Sequence, residues 1–198
     1  MITTLHRPLP RTLVLVGLMG AGKTAVGKRA AARLGLSFVD ADQEIETAAG
    51  CTIPDIFERY GEPAFRDLER RVIARLMRDP VQVLSTGGGA FMDPQTRAVI
   101  AEFGLSVWLK AELSVLAART AKRSNRPLLR GGDPKELLAQ LMERRHPVYA
   151  LANLTVESRD GPVEETVDRV LAAIDAHLAA TAAADEPAPG STPLGQMD

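Results

Sequence analysis

The sequence predicts an α/β fold in three layers, with a five-stranded parallel sheet covered by helices on both faces. Three observations lead there. Short runs of β-branched residues and leucine alternate along the chain with stretches of helical periodicity, as strands joined by crossover helices do. The first run, Thr12-Leu-Val-Leu-Val16, contains no charge and no polar alternation, which is how a strand buried on both faces reads. A chain of 198 residues, 45% of them apolar, is long enough for one sizeable core and sits within the usual span of a single domain.

The elements follow in order. After the strand at Thr12–Val16, the residues Val26, Ala30, Ala31 and Leu34 recur at helical spacing, and Gly35 supplies a stop. Leu36–Val39 reads as a second strand ending in Asp40-Ala41-Asp42. Helical patterns cover Asp42–Ala49, Ile53–Tyr60 and Glu62–Arg78, the first two separated by Gly50. Val81–Leu84 is a third buried strand running into Ser85-Thr86-Gly87-Gly88-Gly89. Pro94–Phe103 reads as a helix, Leu105–Leu109 as a strand, and Glu112–Lys122 as a helix with Leu113, Leu116 and Ala117 facing inward. The polar, basic stretch Arg123–Asp133 has no useful period and reads as a mobile loop. Pro134–Tyr149 is helical, Asn153–Val156 is a fifth strand and Val163–Leu178 is a closing helix. Residues 1–11 form an N-terminal extension. From Ala179 to Asp198 the composition shifts to Ala, Pro, Gly, Ser and Thr, which reads as a disordered tail.

The formal net charge of −1 gives no basic field of the kind that draws a protein to nucleic acid or an anionic membrane, so recognition of an anion must be local. Cys51 is the only cysteine, which excludes an intrachain disulfide and a cysteine metal cage. No apolar run approaches the length of a membrane span, and Leu13–Val16 is too short for a signal-peptide core. A cytoplasmic location is the expectation, with no membrane and no nucleic-acid partner.

One motif decides the chemical class. Gly17-Leu-Met-Gly20-Ala21-Gly22-Lys23-Thr24 matches the phosphate-loop pattern G-x-x-x-x-G-K-[ST] at every fixed position. A buried strand precedes it and an amphipathic helix follows. That context lets successive backbone N–H groups point at phosphate oxygens. Lys23 supplies a positive charge to the β- and γ-phosphates, and the Thr24 hydroxyl suits Mg²⁺. The loop selects nucleotide binding but does not choose between a kinase, a GTPase and a motor.

Several residues are candidates for holding whatever receives the phosphate. Asp40 and Asp42, two apart on an extended strand end, can face the loop together. One carboxylate suits the hydration shell of Mg²⁺ and the other an attacking hydroxyl, although Asp42 could equally cap the helix after it. Gly87, Gly88 and Gly89 offer bare backbone at the carboxyl edge of the sheet, where a flexible turn is the plainer alternative. Arg66 has Glu62 and Glu69 at helical spacing and could be only a surface pair. Arg126 sits in the basic loop, where closing on an anion would give it a purpose. Arg145 is open between ligand binding and a solvated face. His6, His146 and His177 are not spaced as a ligand set.

Taken together, the loop Gly17–Thr24, the pair Asp40-Ala-Asp42, Phe65-Arg66-x-x-Glu69, Thr86-Gly-Gly-Gly89, Arg126-Pro-Leu-Leu and Arg145-x-Pro-x-Tyr149 resemble the shikimate kinase family, over about Leu13 to Leu178. The resemblance implies a P-loop kinase fold with a mobile lid, and transfer of the ATP γ-phosphoryl group to the 3-hydroxyl of shikimate on the route to chorismate. It implies that Gly20, Ala21, Gly22, Lys23, Thr24 and Ala25 hold ATP, together with Arg119 beside adenine, Arg126 on the phosphates and Pro162 at the adenine pocket. Asp42, Arg66, Gly87, Gly88, Gly89 and Arg145 would bind shikimate. Thr24 would hold Mg²⁺ directly and Asp40 through water, while Lys23, Asp42 and Arg126 would be the catalytic set. A monomer taking ATP and shikimate is expected. The rival readings are a kinase of the same architecture acting on gluconate or a nucleoside monophosphate, and a non-catalytic nucleotide-binding relative.

Overall fold

A computed structural model of the chain describes residues 8–121 and 133–185. Five strands among these residues form one sheet in which every pairing is parallel: β1 (Thr12–Val16), β2 (Phe38–Asp40), β3 (Val83–Ser85), β4 (Gly104–Lys110) and β5 (Leu154–Glu157). Their order across the sheet is β2-β3-β1-β4-β5. The strand of unbroken apolar character is thus the central one. Val14 faces Leu84 on one side and Ser106 on the other, and residues 13–16 are fully buried.

Among the described residues seven helices cover the sheet: α1 (Lys23–Leu34), α2 (Ala41–Ala49), α3 (Ile53–Leu76), α4 (Pro94–Phe103), α5 (Leu113–Ala121), α6 (Pro134–Tyr149) and α7 (Val163–Asp185). A short 3₁₀ turn at Ala90–Met92 leads into α4. The predicted alternation therefore holds element by element, with strand bounds shifted by one or two residues. The loop expected at Arg123–Asp133 lies outside the described residues except for Asp133, whose side chain caps α6 by accepting from the Lys135 N–H. Of the tail expected from Ala179 to Asp198, the first residues belong to α7, which continues to Asp185, and residues 186–198 lie outside the described residues. Ala179, Ala180, Ala182, Ala183 and Ala184 are the strongest helix formers and extend α7 without needing a surface to bury.

The two helical patterns expected on either side of Gly61 belong to α3, which is broken there. Gly61 has φ 78° and ψ 173° inside the element, a region closed to residues with a β-carbon. Pro63 follows in the first turn of the second segment, where its missing N–H costs nothing. The break turns the chain so that Phe65 and Glu69 go into the core while Phe57, before it, packs at 4.6 Å against the Phe65 ring. Replacing Gly61 by alanine should lower the unfolding free energy by about 2 kcal/mol, the strain of a β-carbon in that region. A urea-unfolding midpoint unchanged in Gly61→Ala would show that the break is not imposed by backbone geometry.

Candidate active site

The strands β1, β2, β3 and β5 all deliver their carboxyl ends to one cleft of about 440 Å³, a size in the usual range for small-ligand sites. After β1 comes the glycine loop, in which Gly17, Gly20 and Gly22 all take positive φ. The loop ends at the start of α1, so its last residues present helix N–H groups to the cleft. Lys23 folds back over the loop and donates from Nζ to the carbonyls of Gly17 (2.7 Å) and Leu18 (3.1 Å). Its ammonium is thereby held where the loop would receive an anion.

Asp40 ends β2 and has two partners. Its Oδ2 accepts from the Thr24 hydroxyl at 3.1 Å, and its Oδ1 accepts from the Asp42 N–H at 3.2 Å as the N-cap of α2. The capping role weighed for Asp42 therefore belongs to Asp40. Asp42 lies in the first turn of α2 rather than on extended chain, so strand parity is not what brings the two carboxylates together. Both line the cleft because a helix begins at β2's end and turns Asp42 inward.

The turn after β3 meets these groups. Thr86 is tied to the end of β1, donating from both its N–H (3.2 Å) and its hydroxyl (3.0 Å) to the Leu15 carbonyl. Beyond it, a β-carbon at Gly87 would stand 2.7 Å from Asp42 Oδ1 and 3.0 Å from Glu69 Oε1. One at Gly89 would stand 2.5 Å from Arg66 Nη1. Side chains from α2 and α3 thus press on the bare backbone itself. Arg145 arrives from α6 and donates from Nη1 to the Gly88 carbonyl at 2.9 Å. Asp42, Arg66 and Arg145 thus all meet the triple glycine at one turn.

Arg66 is also the salt-bridge partner that its helical spacing suggests, with Glu62 (3.1 Å) and Glu69 (2.6 Å). The two pairs differ in setting. Glu62 is exposed, whereas Glu69 is buried and its Oε1 has no hydrogen-bond partner among the described residues. Burial pushes the Glu69 carboxyl above the usual glutamate range despite Arg66 beside it, and the negative charges of Asp42 and Asp93 push the same way.

On the far side of the loop, Arg119 donates from Nη1 to Ser158 Oγ (2.9 Å) and from Nη2 to the Arg159 carbonyl (2.5 Å). Its guanidinium therefore bridges α5 to the segment between β5 and α7 and forms part of the cleft wall. Gly161 and Val163, on either side of Pro162, line the same wall. Arg126 lies outside the described residues.

The shikimate kinase family model matches residues 19–175 of the chain. The chain belongs to the shikimate kinase family. A shikimate kinase of Paramagnetospirillum magneticum is 57% identical over 168 residues, covering 85% of this chain and 86% of that protein. One of Mesorhizobium japonicum is 54% identical over 168 residues, covering 85% and 83% respectively. Among solved structures, a shikimate kinase from Acinetobacter baumannii in complex with shikimate superposes with a TM-score of 0.81 at 37% identity, covering 86% of this chain and 96% of that one. The P-loop kinase fold is shared.

Within this shikimate kinase site, sequence reading passed over Ser158 and gave Glu69 and Tyr149 no separate role. Ser158 is buried just past β5 and no local pattern marks it. Glu69 and Tyr149 carried a signal, since they stand three after Arg66 and four after Arg145 on helices, where side chains meet.

The raised Glu69 carboxyl makes a pH prediction. The folded protein holds that proton more tightly than the unfolded chain, so Glu69 lowers stability as pH climbs from the ordinary glutamate range through the raised folded value. Glu69→Gln cannot ionise and escapes this decline. Urea unfolding from about pH 4 to about pH 7 should show the wild type losing stability relative to Glu69→Gln as pH rises. A difference that stays constant, or moves in favour of the wild type, would count against the raised value.

Proposed function

We propose that the chain transfers the γ-phosphoryl group of ATP to the 3-hydroxyl of shikimate, giving shikimate 3-phosphate and ADP. The observation that carries this reading is the convergence of Asp42, Arg66 and Arg145 on Gly87–Gly89 beside a phosphate loop. Two guanidinium groups suit a carboxylate, and the aspartate suits an alcohol. Membership of an ATP-using kinase family supplies the donor.

Phosphoryl transfer needs alignment and charge neutralisation more than covalent help. In this reading the amides from Gly20 to Ala25 and the Lys23 ammonium bind the phosphates, Arg119 and Pro162 flank the adenine, and Arg126, assigned by its motif alone, adds positive charge. Arg66 and Arg145 hold the shikimate carboxylate. Asp42 orients the 3-hydroxyl and takes its proton as the new P–O bond forms. The adjacent oxygens of Thr24 and Asp40 fit Mg²⁺, a hard cation that prefers oxygen donors and keeps part of its water. When bound it would neutralise phosphate charge. Among the described residues no three His, Cys, Asp or Glu side chains cluster as an all-protein metal cage, which accords with an ion held jointly by protein, phosphates and water. No helix among the described residues is long and apolar enough to cross a membrane, and we read the enzyme as a cytoplasmic monomer.

A coupled assay of ADP release with shikimate, gluconate, AMP and CMP as acceptors tests the assignment. Turnover is expected with shikimate, and preference for any other acceptor would move the chain to another kinase specificity. Absence of turnover with all four would favour a non-catalytic relative. Asp42→Asn should keep nucleotide affinity within about twofold while kcat falls by about 100-fold or more, the usual contribution of a positioned acid–base group. Near-normal kcat in that variant would remove Asp42 from the mechanism.

A further inference from the structure

The carbonyl of Gly88 receives two donors from one helix. Arg145 Nη1 reaches it at 2.9 Å and the Tyr149 hydroxyl at 2.5 Å, from side chains one turn apart on α6. Tyr149 is fully buried. Its ring lies in an aromatic column between Phe91 (centroids 6.4 Å apart) and Trp108 (5.9 Å), with His146 edge-on to Trp108 at 4.9 Å. A phenylalanine would fill that column equally well. The hydroxyl is therefore present for the Gly88 carbonyl and not for packing.

The consequence follows from peptide geometry. There are no cis peptide bonds among the described residues, so the Gly88–Gly89 unit is planar and trans. Holding its carbonyl toward α6 turns the Gly89 N–H away from α6. Glycines on both sides of that unit leave its plane free to rotate unless something outside fixes it. Across the unit stand the groups proposed to bind the acceptor: a β-carbon on Gly88 would approach Arg145 Nη1 at 3.5 Å, and one on Gly89 would meet Arg66. The same bond that sets the plane also shares an acceptor with Arg145, so it constrains where that guanidinium can sit.

We infer that Tyr149 is a positioning residue for the acceptor half of the site: its hydroxyl locks the Gly88–Gly89 peptide and, through the shared carbonyl, the Arg145 guanidinium. The inference rests on the shikimate reading above for the identity of the acceptor, but not for the locking itself. Burial pushes the Tyr149 hydroxyl up to about 12, so it remains a donor across the working pH range. Losing it would leave Gly88 with Arg145 as its one side-chain donor among the described residues.

Tyr149→Phe tests this in two ways. Steady-state kinetics should show KM for shikimate rising about tenfold, the worth of one hydrogen bond, with KM for ATP within about twofold. Amide hydrogen exchange at Ala90, whose N–H donates to the Gly87 carbonyl across the Gly88–Gly89 unit, followed without substrate in protein carrying nitrogen-labelled alanine, should accelerate by about tenfold as the peptide is released. Ile174→Val is the control: it trims a fully buried residue of α7, lowers stability by a comparable amount, and should move neither readout. Equal rises in both KM values, an unchanged KM for shikimate, or the same shifts in Ile174→Val would overturn the positioning role. If the wild type fails to use shikimate, that reading falls. Faster Ala90 exchange in Tyr149→Phe would then still support the lock, and unchanged exchange would overturn it.

Discussion

At Gly87 and Gly89 the backbone passes so close to charged side chains that a β-carbon would stand 2.7 Å from Asp42 Oδ1 and 2.5 Å from Arg66 Nη1 and would push both aside. Everything on the acceptor side of the cleft depends on that approach. The Asp42 carboxylate from α2 and the Arg66 guanidinium from α3 take these places because the turn has no side chain at Gly87 and Gly89, and the Arg145 guanidinium from α6 joins them through the Gly88 carbonyl. Such a turn is costly to order, since glycine loses more conformational freedom on folding than any other residue. The surrounding bonds offset this. Thr86 anchors the entry on β1, Arg145 and Tyr149 hold the middle from α6, and the Met92 N–H donates to the Gly89 carbonyl as the 3₁₀ turn begins.

The electrostatics follow the same economy of space. Arg66 is shared between an exposed glutamate and a buried one, and only the second fixes it over Gly89. An exposed pair is screened and contributes little, whereas a buried carboxylate beside a guanidinium has few other positions to adopt. Burying Glu69 works against stability, as its upward-shifted carboxyl shows, so its retention is explained by geometry. The Phe65 ring, 5.0 Å beneath the Arg66 guanidinium, completes the support by giving the cation an aromatic face.

The fold was legible because each strand is short, apolar and bounded by glycine, proline or a helix start, and because the phosphate loop marks which strand is central. Position along the chain, by contrast, did not reveal which of two neighbouring aspartates caps α2. That choice depends on where β2 ends, and β2 runs one residue further than Leu36–Val39 suggests. Arg66 looked like a surface pair because i, i+3 and i, i+4 spacing says nothing of burial. The glycine run opposite it, far away in sequence, decides the matter. The end of α7 was placed too early for a related reason: alanine continues a helix on propensity alone, without the apolar stripe by which helices are usually recognised. Ser158 was beyond reach, since its partner Arg119 lies on a different element and no spacing relates them.

Asp40 shows how closely the two halves of the site are joined. One carboxylate oxygen accepts from Thr24 at the start of α1, and the other caps α2 through the Asp42 N–H. The residue proposed to serve the metal ion therefore also sets the first turn of the helix that carries the residue proposed to orient the acceptor hydroxyl. A shift of the β2 end relative to the phosphate loop would move both together. The parallel pairing of Phe38, Val39 and Asp40 with Val83, Leu84 and Ser85 suppresses that shift, because it ties β2 to the strand that delivers the triple glycine. Donor and acceptor sides are thus held in register by the sheet itself, and the side chains at its edge need only small, local hydrogen bonds to complete the geometry.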